Sequence, residues 1–120
     1  MRKVFLLYLG LLTLLLLVRN PYALVRTRFE LLSAAWLVQA LAHFGCFAVL
    51  AVLALATRPR MRASWLLALL GVYALATELL QGFVPPRTPE FSDFVLNILG
   101  IAAGTLCWAA WRRRLARRAT

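Results

Sequence analysis

Long apolar runs, flanked by short segments that hold every basic residue, constrain the fold of this sequence more than any other feature. A helix of about 20 apolar residues crosses the hydrocarbon core of a bilayer, which is about 30 Å thick. The chain has 63% hydrophobic residues, whereas soluble domains have about half. We therefore predict an all-α membrane protein, a bundle of four transmembrane helices that forms one domain over residues 1–120. The helices are predicted near residues 4–18, 31–56, 63–84 and 92–111.

The first apolar run is short, and it follows Arg2 and Lys3 in the way that the apolar part of a secretory signal peptide follows its basic start. The residues after the run are Arg19, Asn20 and Pro21, without the small residues that mark a cleavage site. We therefore expect an uncleaved signal anchor. Because the run is shorter than the bilayer core, Arg19 is expected to extend toward the interface.

The distribution of basic residues predicts the orientation of the helices, because cytoplasmic loops retain Lys and Arg. If the N-terminus lies inside, ten of the fourteen basic residues face the cytoplasm, five of them in the tail between Arg112 and Arg118. Four basic residues, at positions 19, 26, 28 and 87, then face outward. We therefore predict that both termini lie on the cytoplasmic side, an N-in/C-in arrangement.

Charge and cysteine usage exclude several classes of function. A net charge of +10 would suit a nucleic-acid-binding protein if the basic residues covered one folded surface. Here they occupy the segments around apolar runs, so we expect no nucleic-acid partner. Cys46 and Cys107 both lie inside apolar runs, where a thiol usually packs as a small apolar group. We expect no disulfide, no metal site and no cofactor.

Polar residues inside the third and fourth runs mark a candidate site, because an ionisable side chain within a span costs about 2.5–3.5 kcal/mol. Glu78 and Gln81 are three residues apart and share a helix face. Asp93 and Asn97 begin a stripe on the fourth helix that continues with Gly100 and Gly104. The glycines have a structural explanation, since small residues at this spacing let helices approach closely. Asp93 alone could be an acid that favours a helix N-terminus.

Two further residues are placed near the outer end of the predicted bundle. His43 lies about 9 Å below the outer boundary of the second helix, a depth similar to that of Glu78. Arg87 lies in a loop with Pro85, Pro86 and Pro89, which restrict the backbone. Arg87 could pair with an acid of the site or bind a phosphate or carboxylate. Alternatively, His43 serves only in packing, and Arg87 is a solvated residue in a tight turn.

Residues 78–104 carry a pattern of polar identities across two helices and a loop: Glu, Gln three residues on, an aromatic, Arg in a proline-rich loop, Asp, Asn four residues on, and two glycines. This pattern resembles the signature of the VanZ-like family. The resemblance begins near residue 39, where the family usually shows an Asp-Lys pair before a histidine and an aromatic. His43 and Phe44 match, whereas Gln39 and Ala40 replace the pair.

The resemblance implies a small multi-pass protein of a bacterial cytoplasmic membrane, associated in the named example with low-level resistance to teicoplanin. It implies no settled activity, so whether the protein is an enzyme stays open. We expect membrane lipids as partners. We also expect a lipid or lipid-linked cell-wall precursor, whose head group the protein binds or modifies. A small proton-coupled transporter or channel and a purely structural subunit are the alternatives. The candidate ligand-binding residues are His43, Glu78, Gln81, Arg87, Asp93 and Asn97, with Gly100 and Gly104 in helix packing.

Overall fold

The computed structural model describes residues 1–17, 32–57, 61–84 and 90–119, the first five residues of the second range by their backbone alone. The described residues are helical and fall into four α-helices close to the predicted apolar runs. The helices are α1 (Arg2–Leu17), α2 (Leu32–Ala56), α3 (Ala63–Gln81) and α4 (Phe91–Arg118). The prediction of an all-helical chain is thus confirmed for these residues.

Three of the helices are long and apolar enough to cross a membrane: Leu37–Ala56 within α2, all of α3, and α4. Helix α1 has 16 residues, and at about 1.5 Å per residue it extends roughly 24 Å, less than the thickness of an average bilayer core. A fourth crossing and the N-in/C-in orientation stay predictions. Arg19, which we expected to extend from α1 to the interface, lies outside the described residues.

The ends of α3 and α4 differ from the predicted bounds for identifiable reasons. Helix α3 ends at Gln81 rather than at residue 84, because the next three backbone N–H groups bond to carbonyls three residues back, which tightens the chain into a 3₁₀-like turn. The capping residue of α4 is Glu90, whose backbone is extended, so the helix begins at Phe91, one residue before the predicted start. Helix α4 continues to Arg118 rather than 111, since arginine is a good helix former that also complements the helix C-terminus.

Helices α2 and α4 form the most extensive packing in the described bundle. A methyl group on Gly100 would collide with the backbone carbonyl of Phe44, and one on Gly104 with that of Ala48. The missing side chains therefore allow the two backbones to approach closely. Because contacts advance along both helices together, α2 and α4 run parallel. Helix α3 runs in the opposite direction, since Glu78 near its end meets Asn97 near the start of α4.

Apolar side chains complete the core, and others face outward. Phe47, Leu50, Ala51 and Ala54 of α2 are fully buried. Helix α1 packs against α2 and α3 through apolar residues and a hydrogen bond, in which the Tyr8 hydroxyl donates to the Cys46 carbonyl at 2.9 Å. Many large apolar residues on all four helices remain exposed, which suits a protein whose outer surface meets lipid.

Candidate functional site

The end of α3, the start of α4 and the first half of α2 meet at one end of the bundle, and polar side chains from all three fill the space between them. Five of these side chains are connected to one another, and we call them the polar cluster: Gln39, His43, Glu78, Asp93 and Asn97. Four are buried, with exposed fractions of 8% for His43, 4% for Glu78, 7% for Asp93 and 0% for Asn97. The cluster is thus enclosed by helices that are themselves apolar.

Asn97 lies at the centre of the polar cluster and joins all three helices. Its Nδ2 donates a hydrogen bond to Oε1 of Glu78 at 3.2 Å, and its Oδ1 lies 3.0 Å from Nδ1 of His43. The side-chain amide of Asn97 therefore contacts α3 through its nitrogen and α2 through its oxygen. Asn97 can do this because it lies one helical turn after Asp93, on the face that also carries Gly100.

His43 lies between the two carboxylates of the cluster. Its Nδ1 is 3.8 Å from Oε1 of Glu78, and its Nε2 is 3.5 Å from Oδ2 of Asp93. Two of the four acidic residues in the chain therefore face its one histidine. Within the apolar bundle a carboxylate charge is screened much less than it would be in water.

Gln39 is a member of the cluster that the sequence singled out only as a departure from the family pattern. Its Nε2 donates to Oδ2 of Asp93 at 2.8 Å. The signal that could have revealed it is spacing, because Gln39 precedes His43 by four residues and so shares its helix face. Gln39 thus supports the acid at the start of α4, where the resemblance leads one to expect a charged residue.

The structure places Gln81 and Thr77 in other contacts. The Nε2 atom of Gln81 donates to the carbonyl oxygen of Leu16 at 3.0 Å, which ties α3 to the end of α1. Thr77 is buried, but its hydroxyl donates to the Ala74 carbonyl of its own helix at 2.8 Å. Arg87 lies outside the described residues, so its pairing with Glu78 or Asp93 stays a prediction.

Three members of the cluster could ligate a metal ion together. One ligand atom from each of His43, Glu78 and Asp93 lies within 4.8 Å of the others. The sequence did not indicate this set, because the ligands come from three different helices and leave no short motif. Imidazole nitrogen with carboxylate oxygens is a donor set used for divalent cations of the first transition row.

Comparison with known proteins identifies a family. The family model described as VanZ/LLP1 matches residues 5–112, which includes most of the described helices and the whole polar cluster. No curated protein and no solved structure matches the chain. The match confirms the resemblance seen in residues 39–104 and extends it to most of α1 and to the start of the basic tail.

Proposed function

Because the chain belongs to the VanZ/LLP1 family, we propose that this membrane protein acts in the bacterial cell envelope, where its polar cluster binds the head group of a lipid or lipid-linked cell-wall precursor. The observation that carries the proposal is the burial of two carboxylates and an imidazole among helices apolar enough to span a membrane. Such groups are costly in a bilayer and usually serve a ligand, an ion or a proton.

The position of the cluster supports a ligand that enters from the end of the bundle. Asp93 lies in the first turn of α4, and Glu78 lies in the last turn of α3. Asn97 follows Asp93 by about 6 Å along the helix axis. A head group at the membrane interface would therefore meet Asp93 and Gln39 first and Asn97 last. The half-buried amide of Gln39 can read a hydroxyl or carbonyl group, and Arg87, which the sequence places in the neighbouring loop, would hold a phosphate through its planar fork.

The proposal requires the cluster end to face outward, as N-in/C-in topology predicts. Alkaline phosphatase fused after Pro89 should be active, because that position would lie outside the cytoplasmic membrane. The same enzyme fused after Arg118 should be inactive. Reversed activities would place the cluster at the cytoplasmic face and would contradict the proposal.

The functional test is antibiotic susceptibility. Production of the chain in a teicoplanin-susceptible bacterium is expected to raise the inhibitory concentration of teicoplanin several-fold. Asp93→Asn should remove the effect at equal protein levels in the membrane, because it takes a charge from the cluster with little change of shape. Glu90→Gln is the matched control, since Glu90 is an exposed acid three residues away. Equal protection by the Asp93 variant would contradict the proposal.

A proton-coupled transporter is the second candidate, favoured by the connection of Glu78, Asn97, His43 and Asp93 in one line of polar contacts. A proton could pass between the two acids through the imidazole. The two functions differ in a measurable way. A proton-coupled transporter in proteoliposomes should acidify the lumen when the outside is made more acidic. A head-group-binding protein should not, and it should instead retain lipid on purification.

A further inference from the structure

We propose that the polar cluster binds one divalent transition-metal cation through Nε2 of His43 and the carboxylates of Glu78 and Asp93. These residues come from α2, α3 and α4, so the ion would connect the three helices. The inference goes beyond head-group binding and stands without it, because it rests on the directions and lengths of contacts within the cluster.

The hydrogen-bond directions indicate which nitrogen of His43 is available. Asn97 donates through Nδ2 to Glu78, so its Oδ1 faces Nδ1 of His43 at 3.0 Å. A carbonyl oxygen can only accept. Nδ1 must therefore carry the hydrogen, and in the neutral imidazole Nε2 then has the free lone pair.

That lone pair faces an atom that is also an acceptor. Oδ2 of Asp93 lies 3.5 Å from Nε2 and already accepts a hydrogen bond from Gln39 at 2.8 Å. A cation between two acceptors that face each other would remove their repulsion. A shared proton would draw the atoms to about 2.7–3.2 Å, whereas two ligands about 2.0–2.1 Å from a tetrahedral zinc ion lie roughly 3.4 Å apart. The observed separation agrees with a metal ion.

Each proposed metal ligand also makes a hydrogen bond of the kind that orients the ligands in metal sites. A ligating histidine usually donates its second N–H to a carbonyl or carboxylate, as Nδ1 of His43 does to Asn97. The carboxylates receive amide N–H groups, Glu78 from Asn97 and Asp93 from Gln39. These contacts hold the ligands in place without occupying Nε2.

Charge and donor type indicate the class of ion. Two carboxylates with a neutral imidazole carry a charge of −2, which a divalent cation cancels, and this removes the cost of enclosing the charges among apolar helices. One nitrogen and carboxylate oxygens suit zinc, manganese, iron or cobalt in their divalent states, and are less suited to copper(I), which prefers sulfur.

The test uses the full chain in detergent, stripped of metal with EDTA and titrated with Co²⁺. We expect saturable visible absorption at one ion per chain, displaced by Zn²⁺, and a rise in melting temperature of several degrees. His43→Gln and Glu78→Gln should each weaken binding at least tenfold, and the matched variant Glu90→Gln should bind like the wild type. No absorption with the wild type, or wild-type affinity in His43→Gln, would overturn the proposal.

A second measurement needs no variant and so does not depend on how a substituted chain folds. The chain has one histidine, and ¹⁵N labelling of histidine therefore reports His43 alone. Addition of Zn²⁺ should shift the Nε2 resonance while Nδ1 keeps its proton. An imidazole that carries protons on both nitrogens and does not respond to Zn²⁺ would reject the metal site. That result would leave head-group binding open, because lipid retention is measured separately.

Discussion

The two halves of the α2–α4 pairing use the same stripe of α4 but pack differently, one through polar side chains and the other through the backbone. Near the start of α4, Asp93 and Asn97 meet α2 through polar atoms at hydrogen-bond or ion-pair distances. One to three turns later, Gly100 and Gly104 meet α2 through the backbone. The glycine half brings the helices close, and this proximity lets short polar side chains reach across in the other half.

The glycines and the polar cluster depend on each other. Small residues alone explain why α2 and α4 associate, but they do not explain buried carboxylates. The polar residues alone would be costly in a membrane without a firm helix pair to hold them. Changes in the glycine half should therefore lower stability most, and changes in the polar half should lower it less while also affecting binding.

The largest effect is expected in the glycine half. Gly104→Ala should lower the free energy of unfolding in detergent by about 3 kcal/mol, because the added methyl meets the Ala48 backbone and the helices must separate. Gly45→Ala is the matched control, since nothing lies within 4 Å of a methyl group there. It should leave stability equal or raise it by up to about 1 kcal/mol through helix propensity. Equal melting temperatures for the two variants would show that the close contact is unimportant.

Asn97→Ala tests the connection between the halves. It removes the hydrogen-bond partner of both His43 and Glu78, and a buried polar group without its partner costs about 1–3 kcal/mol. We expect a loss of about 2 kcal/mol by chemical denaturation. Thr105→Ala provides the control, because that hydroxyl bonds within its own helix, to the Ile101 carbonyl. A loss no greater than that of the control would mean that the cluster is already hydrated.

A smaller effect is expected from Glu78 and Arg87, which we predict from the sequence to be coupled at the outer end of the bundle. The change is a double-mutant cycle of Glu78→Gln and Arg87→Gln. The double variant should be less destabilised than the two single effects added together, by about 1 kcal/mol. Strict additivity in melting temperature would argue instead that Arg87 serves a ligand or the solvent.

Much of this fold follows from the sequence, because apolar periodicity and prolines locate helices to within a few residues except at the basic tail. At the tail, residue 111 is the predicted end because the apolar run that faces lipid ends there. The helix itself continues to Arg118. Membrane boundaries and helix boundaries are set by different physical requirements. The short length of α1 is visible in the sequence, where its apolar run ends at residue 18.

The candidate site was predictable in its members and less so in its connections. The cost of polar residues in apolar runs identified His43, Glu78, Asp93 and Asn97 directly. Gln39 could have been found by its spacing, four residues before His43 on the same helix face. The contact of Gln81 with Leu16 depends on where α1 packs. The ligand set of three residues on three helices could be recognised only once their distances were known.

If the polar cluster serves a ligand rather than the fold, its apolar replacement should preserve the fold and remove the ligand. The change is the quadruple variant His43→Phe, Glu78→Leu, Asp93→Leu and Asn97→Leu, since Asn97 would otherwise be left buried without its two partners. Buried charges replaced by apolar groups of similar volume often leave stability unchanged or higher, so we expect a chain that melts at or above the wild-type temperature. Native mass spectrometry from nanodiscs that contain undecaprenyl phosphate should then show the lipid retained by the wild type and lost from the variant. Equal retention of the lipid by a folded variant would show that the polar cluster does not bind it.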